Sequence, residues 1–177
     1  MILGRNAKVY PMAKILCPEN LSLGVESTIA DLAFVHANGK GIEIGNFCMI
    51  QSHVILVSGG LIKVGDFVGI SYGATILASS DSYTGEGLIG LGVLNKYRKL
   101  DERDVILQNH AHVGAGAIIL PGVTLGEGCT VGAGSLVTKS LPEWTICYGS
   151  PCKVIKDKPR EKQLMFEREF LKEYYGK

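Results

Sequence analysis

Aromatic residues are scarce in this sequence: one Trp, five Phe and seven Tyr make up 7% of its 177 residues, and charged residues account for only 20%. A chain this poor in charge, with 46% hydrophobic residues, buries a core and is not disordered along most of its length. An excess of either charge is also lacking. Eighteen Lys and Arg against seventeen Asp and Glu leave +1, so no global field would hold the chain on nucleic acid or an acidic membrane. Paired CxxC motifs are absent. The five cysteines (Cys17, Cys48, Cys129, Cys147, Cys152) are odd in number and scattered, as expected of reduced packing thiols in a cytoplasmic protein. No apolar run reaches the roughly eighteen residues needed to span a bilayer, and the N-terminus lacks the apolar core of a signal peptide. Membrane insertion is therefore not expected.

What is abundant is glycine, 23 residues or about 13% against an average near 7%. Collagen is excluded, because segments such as Asp31 to Ala37 contain none. The glycines instead punctuate a six-residue period. From Leu107 every sixth residue is aliphatic: Leu107, Val113, Ile119, Leu125, Val131, Val137. Earlier triplets keep the step, as Leu23-Ile29-Val35, Ile44-Ile50-Leu56 and Val64-Ile70-Ile76, with short bulges between them. The fourth residue after each rung is usually small or β-branched, for example Ser27, Ala33, Cys48, Val54, Ala74, Ala117 and Ser135. Six residues are too few for a hairpin or a helical repeat but suit a short strand and a corner. Three hexads then close a triangular coil, and stacked coils give parallel sheets on three faces of a prism too narrow for aromatics. Glycine and Asn suit the corners, where positive φ is needed.

Five coils are expected, starting at Leu23, Ile44, Val64, Leu107 and Leu125, with the ladder ending at Leu141-Pro142. Between Ile76 and Leu107 the period lapses. Residues 79–104 are too charged for the prism and are expected to leave it as a functional loop. Residues Pro159 to Tyr175 read as a helix, with Phe166, Phe170 and Tyr174 four apart, expected to cover an open end of the prism or a neighbouring chain. The organisation is thus one β-helix domain over 1–156, with an N-terminal cap and the inserted loop, followed by a helical segment over 157–177.

The hexads, the run VGAGAIILPGVTLGEGCTVGAGSLVTKSLP (Val113 to Pro142) and the tail YGSPCKVIK (Tyr148 to Lys156) resemble the hexapeptide-repeat acyltransferases, in particular the galactoside and maltose O-acetyltransferase branch. The resemblance spans roughly residues 20 to 156. It implies an all-β, left-handed parallel β-helix, assembled as a homotrimer with active sites between subunits, and acetyl-CoA as donor. It also maps CoA contacts onto the backbone of Ala115 and Ala133, onto Thr138 and Lys139, and onto Lys153 and Lys156, where the galactoside enzyme has Arg. Gln51 aligns with an Asn that binds substrate in galactoside-type enzymes. The initial helical segment of those enzymes is missing. Their catalytic His in a Gly-His-Pro motif has no His counterpart, and Asp81 of SSDSYTGEG takes its place.

Acetyl transfer to a hydroxyl needs a base, oxyanion donors and a clamp on the donor. Asp81 is the aligned base candidate, although an exposed carboxylate is a weak base unless burial changes it. His53, two positions from Gln51, is its rival, since imidazole titrates near neutrality. A pair in which Asp81 orients His53 combines the two. The bland alternatives are a surface histidine and a loop-opening aspartate. Tyr83 and the polar loop suit a sugar acceptor. His110 and His112 raise a zinc alternative through the fold shared with γ-class carbonic anhydrases, but the histidine gaps of 17, 57 and 2 do not fit that family, so no metal is expected. His112 reads as a packing residue near the thioester, and His36 as an outward corner residue. The function expected first is O-acetylation of a sugar or sugar-containing precursor, of the kind used in polysaccharide synthesis. The alternatives are N-acetylation of a nucleotide-linked amino sugar and a non-catalytic scaffold, against which the three lysines argue.

Overall fold

The computed structural model describes residues 1–176. Each hexad folds as a two- or three-residue strand followed by a left-handed corner, and three such strands complete a coil. The coils stack in register, so that Ile44 pairs with Val64, Val64 with Leu107, and Leu107 with Leu125, all parallel. The first face runs from Ile2–Leu3 to Thr124–Leu125 and the third from Lys14–Leu16 to Leu136–Val137, six strands each. The second starts at Lys8–Val9 and reaches eight strands, because Thr145–Gly149 adds in parallel and Cys152–Asp157 folds back against it. This is the expected left-handed parallel β-helix. Every rung named above from Leu23 to Val137 is buried, and so are the smaller partners Ser27, Ala33, Cys48, Val54, Ala74, Ala117 and Ser135. The narrow interior is therefore filled by one larger and one smaller side chain per hexad.

The coil count differs from the sequence expectation. Six coils are complete and a seventh is begun, not five. An additional coil precedes Leu23, with rungs Leu3, Val9 and Ile15 and small partners Ala7 and Ala13. It has a neighbour on one side only, so its rungs stay partly exposed among Lys8, Tyr10, Met12 and Lys14, and the apolar pattern is diluted. At the other end the ladder does not stop at Leu141-Pro142: Leu141 bridges to Leu125, and Cys147 pairs with Val131.

The corner between the first and second faces is tied by side chains as well as by backbone. Asn46 Oδ1 accepts from the amide of Val25 at 2.8 Å, Asp66 Oδ1 from that of Asn46 at 2.7 Å, and Asn109 Oδ1 from that of Asp66 at 2.9 Å. Each coil thus satisfies an amide of the coil below it. Next to this ladder Phe47 stacks on Phe67, and Phe67 on His110, with ring centroids 5.0 and 5.3 Å apart. Helix α1 (Glu161–Tyr175) lies along that stack. Phe170 and Tyr174 present their ring edges to Phe47, His110 Nε2 is 3.1 Å from Glu167, and the Tyr174 hydroxyl donates to Glu26 at 2.7 Å. The helix, expected to cover an end of the prism or a neighbouring chain, does not close an end but lines the prism's side, because the corner itself is aromatic.

Candidate active site

Four of the sequence candidates, Gln51, His53, Ala115 and Ala133, gather at the corner between the second and third faces. Gln51, Ser71, Gly114 and Gly132 leave the ends of second-face strands, and the turns Ser52-His53, Tyr72-Gly73, Ala115-Gly116 and Ala133-Gly134 follow one above another. The Gly134 amide donates to the Ala115 carbonyl, and the Gly116 amide to Tyr72. His53 is exposed and holds φ at 62°, the conformation glycine takes at 73, 116 and 134 in the same column. Around those three glycines the space is open, and a Cβ built on any of them would meet nothing within 4 Å. The column is thus an open strip with small or absent side chains over its last coils, which leaves its backbone accessible to an elongated ligand such as a pantetheine arm.

Asp81 and Tyr83 lie elsewhere in the chain. The excursion leaves the third face after Leu77 and returns to the first face at Val105, and it has structure of its own: Ser79–Asp81 pairs antiparallel with Leu100–Glu102. Asp81 Oδ1 accepts from Arg98 Nη2 at 3.0 Å, a pair in which both side chains are largely covered. Tyr83 is 81% exposed, and its phenol oxygen accepts from Ser80 at 2.8 Å. A cleft of about 290 Å3 is lined by Asp81, Tyr83, Thr84, Glu86 and Lys99. His53 and Asp81 form no pair within one chain, because the width of the third face separates them. Thr138 and Lys139, exposed after Leu136–Val137, share the loop's corner rather than that of Ala115 and Ala133. Lys153 and Lys156 stand exposed on the outermost strand of the second face.

Two residues join the Gln51 corner from the strand faces. Ser71 Oγ lies 3.5 Å from His112 Nε2, and burial, reinforced by Lys158, holds the His112 imidazole below its ordinary pKa. Sequence reading gave Ser71 no role, since strand residues that point outward carry no period; its one signal is its place a coil above Gln51. His110 belongs to the packing beneath α1. Among the described residues no group of three or more His, Cys, Asp or Glu is placed to hold a metal ion. Cys48 and Cys129 are core residues, and burial pushes their thiols up to about 11 and about 12.

A family model for the bacterial transferase hexapeptide, six repeats, matches residues 104–139. The solved N-acyltransferase AntD from Bacillus cereus, in complex with dTDP and 3-hydroxybutyryl-CoA, superposes with a TM-score of 0.91 at 34% identity, covering 97% of this chain and 89% of its own. The chain belongs to the hexapeptide-repeat acyltransferases. As a member of this family it is an enzyme, an acyltransferase. Two further relatives differ in acceptor. The dTDP-4-amino-4,6-dideoxy-D-glucose acyltransferase of Escherichia coli is 28% identical over 158 residues, 89% of this chain and 82% of the relative. Galactoside O-acetyltransferase of Escherichia coli (strain K12) is 27% identical over 155 residues, 84% of this chain and 73% of the relative. No helix among the described residues is long and apolar enough to cross a membrane.

Proposed function

We propose that this protein transfers an acyl group from an acyl-coenzyme A to the amino group of a nucleotide-linked amino sugar. The match to AntD carries this reading, because it extends over 97% of the chain and so includes the first coil, the loop and α1. AntD variants have been solved with substitutions at a serine and at an aspartate ten residues further on, some with dTDP-4-amino-4,6-dideoxyglucose and coenzyme A. In this chain Ser71 and Asp81 are the only serine and aspartate so spaced. The chemistry agrees. Attack by the amine forms a C–N bond and breaks C–S, and the amine's proton ends on the departing thiolate or on a nearby base. An unprotonated amine demands less of a base than a hydroxyl does, which suits a carboxylate already engaged by Arg98. Asp81 and Tyr83 then orient the acceptor, with His53 and Gln51 on the facing corner.

The two corners meet in an oligomer. Outward residues of the third face are mostly apolar, Phe34, Ile55, Val57, Leu77, Ile118 and Leu136 beside the polar Lys14, His36 and Thr75, while the first face presents Ser22, Glu43, Lys63 and Thr124 with Ile106. Three copies packed through the third face around an axis would set the loop of one beside the His53 corner of the next. The same packing would bring Lys139 and Thr138 of one copy to the Ala115 and Ala133 groove of another, with Lys153 and Lys156 near the donor's phosphates. The homotrimer expected from the sequence is thus supported by the mostly apolar third face.

A hydroxyl acceptor is the second reading, supported by the galactoside relatives. Assay of coenzyme A release with a panel of free sugars and nucleotide amino sugars separates the two. Release only with amino sugars bears out the proposal, and turnover confined to sugar hydroxyls overturns it. No thermal stabilisation by saturating coenzyme A would instead point to a scaffold.

A further inference from the structure

Between the outer side of the second face and α1 lies a cavity of about 400 Å3 that the reading above leaves unused. Met49, Gly69, His112 and Thr130 contribute from the strands, Phe67 from the first corner and Lys158 from the approach to the helix. Lys158 is singular. Its ammonium donates to the Gly128 carbonyl at 3.0 Å and to Thr130 Oγ1 at 3.2 Å and faces the Trp144 ring, yet it has no carboxylate within 4 Å among the described residues. An ammonium carries three protons, so one donor is left over after these two oxygens, on a side chain that is only partly covered. Burial lowers the pKa of this group, the sign of a cation short of solvent and of a counter-charge.

The cavity also adjoins the candidate active site. Gly69 occupies the row filled by Met49 and His112 on the coils to either side, and a Cβ there would lie 2.9 Å from His112 Nδ1. Its strand neighbour on the same side is Ser71, and that of His112 is Gly114, roughly 7 Å further along the strand at the usual rise. The His112 ring lies over this row, 2.9 Å from a Cβ at Gly69 and 3.5 Å from Ser71 Oγ, so its imidazole stands between the cavity and the head of the proposed donor groove. The cavity's walls pair aromatic and thioether surface with a cation, a hydroxyl and an imidazole, a lining matched to a short carbon chain bearing oxygen.

We propose that this cavity holds the distal part of the transferred acyl group, which is longer than acetyl and carries a hydroxyl or carboxylate oxygen at Lys158. The inference rests on acyl-coenzyme A being the donor, as proposed above. Its test is the ratio of kcat/KM for acetyl-, butyryl-, 3-hydroxybutyryl- and succinyl-CoA with dTDP-4-amino-4,6-dideoxyglucose as acceptor. In the unaltered protein the oxygen-bearing donors should exceed acetyl- and butyryl-CoA by about tenfold or more, and the better of the two identifies the oxygen. Lys158→Met should erase that advantage and leave acetyl transfer within about threefold, and Gly69→Val should exclude every four-carbon chain. Should Lys158→Met fold poorly, calorimetric affinities of the unaltered protein for the same four thioesters give the same ranking without turnover. Acetyl-CoA as the best donor, or Lys158→Met lowering all donors alike, would overturn the inference while leaving the proposed function intact. Failure of every donor with every amino sugar would instead overturn the proposed function, and this inference with it.

Discussion

At the scale of single residues, nine described non-glycine positions hold φ between 49° and 63°, and His53 is one of them. The left-handed region costs a side chain roughly 1–2 kcal/mol, and glycine takes this conformation three times in the same column. A residue kept where glycine is easier is a candidate for function. His53→Gly should change stability by less than about 1 kcal/mol, because the relief of strain and the added freedom of the unfolded chain oppose each other. If His53 takes part in transfer, the same substitution lowers turnover by about tenfold or more. A denaturation midpoint and a rate measured on one preparation decide the matter, and a variant that keeps its rate removes His53 from the mechanism. The thiols offer a simpler check. Cys48 and Cys129, with pKa values near 11 and 12, should resist alkylation of the folded protein at pH 8 and react once it is unfolded, whereas labelling of either in the native state would mean that the coils open.

At the scale of elements, the corner ladder of Asn46, Asp66 and Asn109 holds coils to one another where strands of two or three residues have few hydrogen bonds to give. Asp66→Ala leaves the Asn46 amide without its acceptor and should cost about 1–3 kcal/mol, read as a lowered denaturant midpoint with unchanged slope. An unchanged midpoint would show that water replaces the carboxylate. Much of this level was legible in the sequence, because burial inside a prism follows the hexad: the rungs from Leu23 to Val137 and the limits of the excursion at 79 and 104 could be read directly. Leu3, Val9 and Ile15 obey the same spacing, but an end coil needs less apolar surroundings, and polar neighbours mask the period there. The course of α1 was hidden for a different reason. Phe47 and Phe67 sit between rungs, and nothing in their spacing says that one corner of the prism is aromatic. Ser71 and Lys158 point outward, where no periodicity applies, so only the folded chain brings them next to His112.

At the scale of the whole molecule, the candidate residues divide between two corners, His53, Gln51, Ala115 and Ala133 on one and Asp81, Tyr83, Thr138 and Lys139 on the other. In the assembly proposed above a single chain supplies only half of each site, and the mostly apolar third face is the surface through which copies would join the halves. Ile118, 39% exposed on the last strand but one of that face, tests the assembly. Ile118→Glu should convert a trimer to monomers in sedimentation and abolish turnover together, while retained activity in a monomer would show that one chain suffices. The register across the excursion bears on how such a protein changes over generations. Val64 meets Leu107 and Ile76 meets Ile119 in the same alignment that every uninterrupted coil uses, as though residues 79–104 had been spliced into a finished rod. Lengthening, trimming or rewriting that splice leaves the rod's own pairings untouched, so descendants can exchange one acceptor for another without renegotiating how the polypeptide folds.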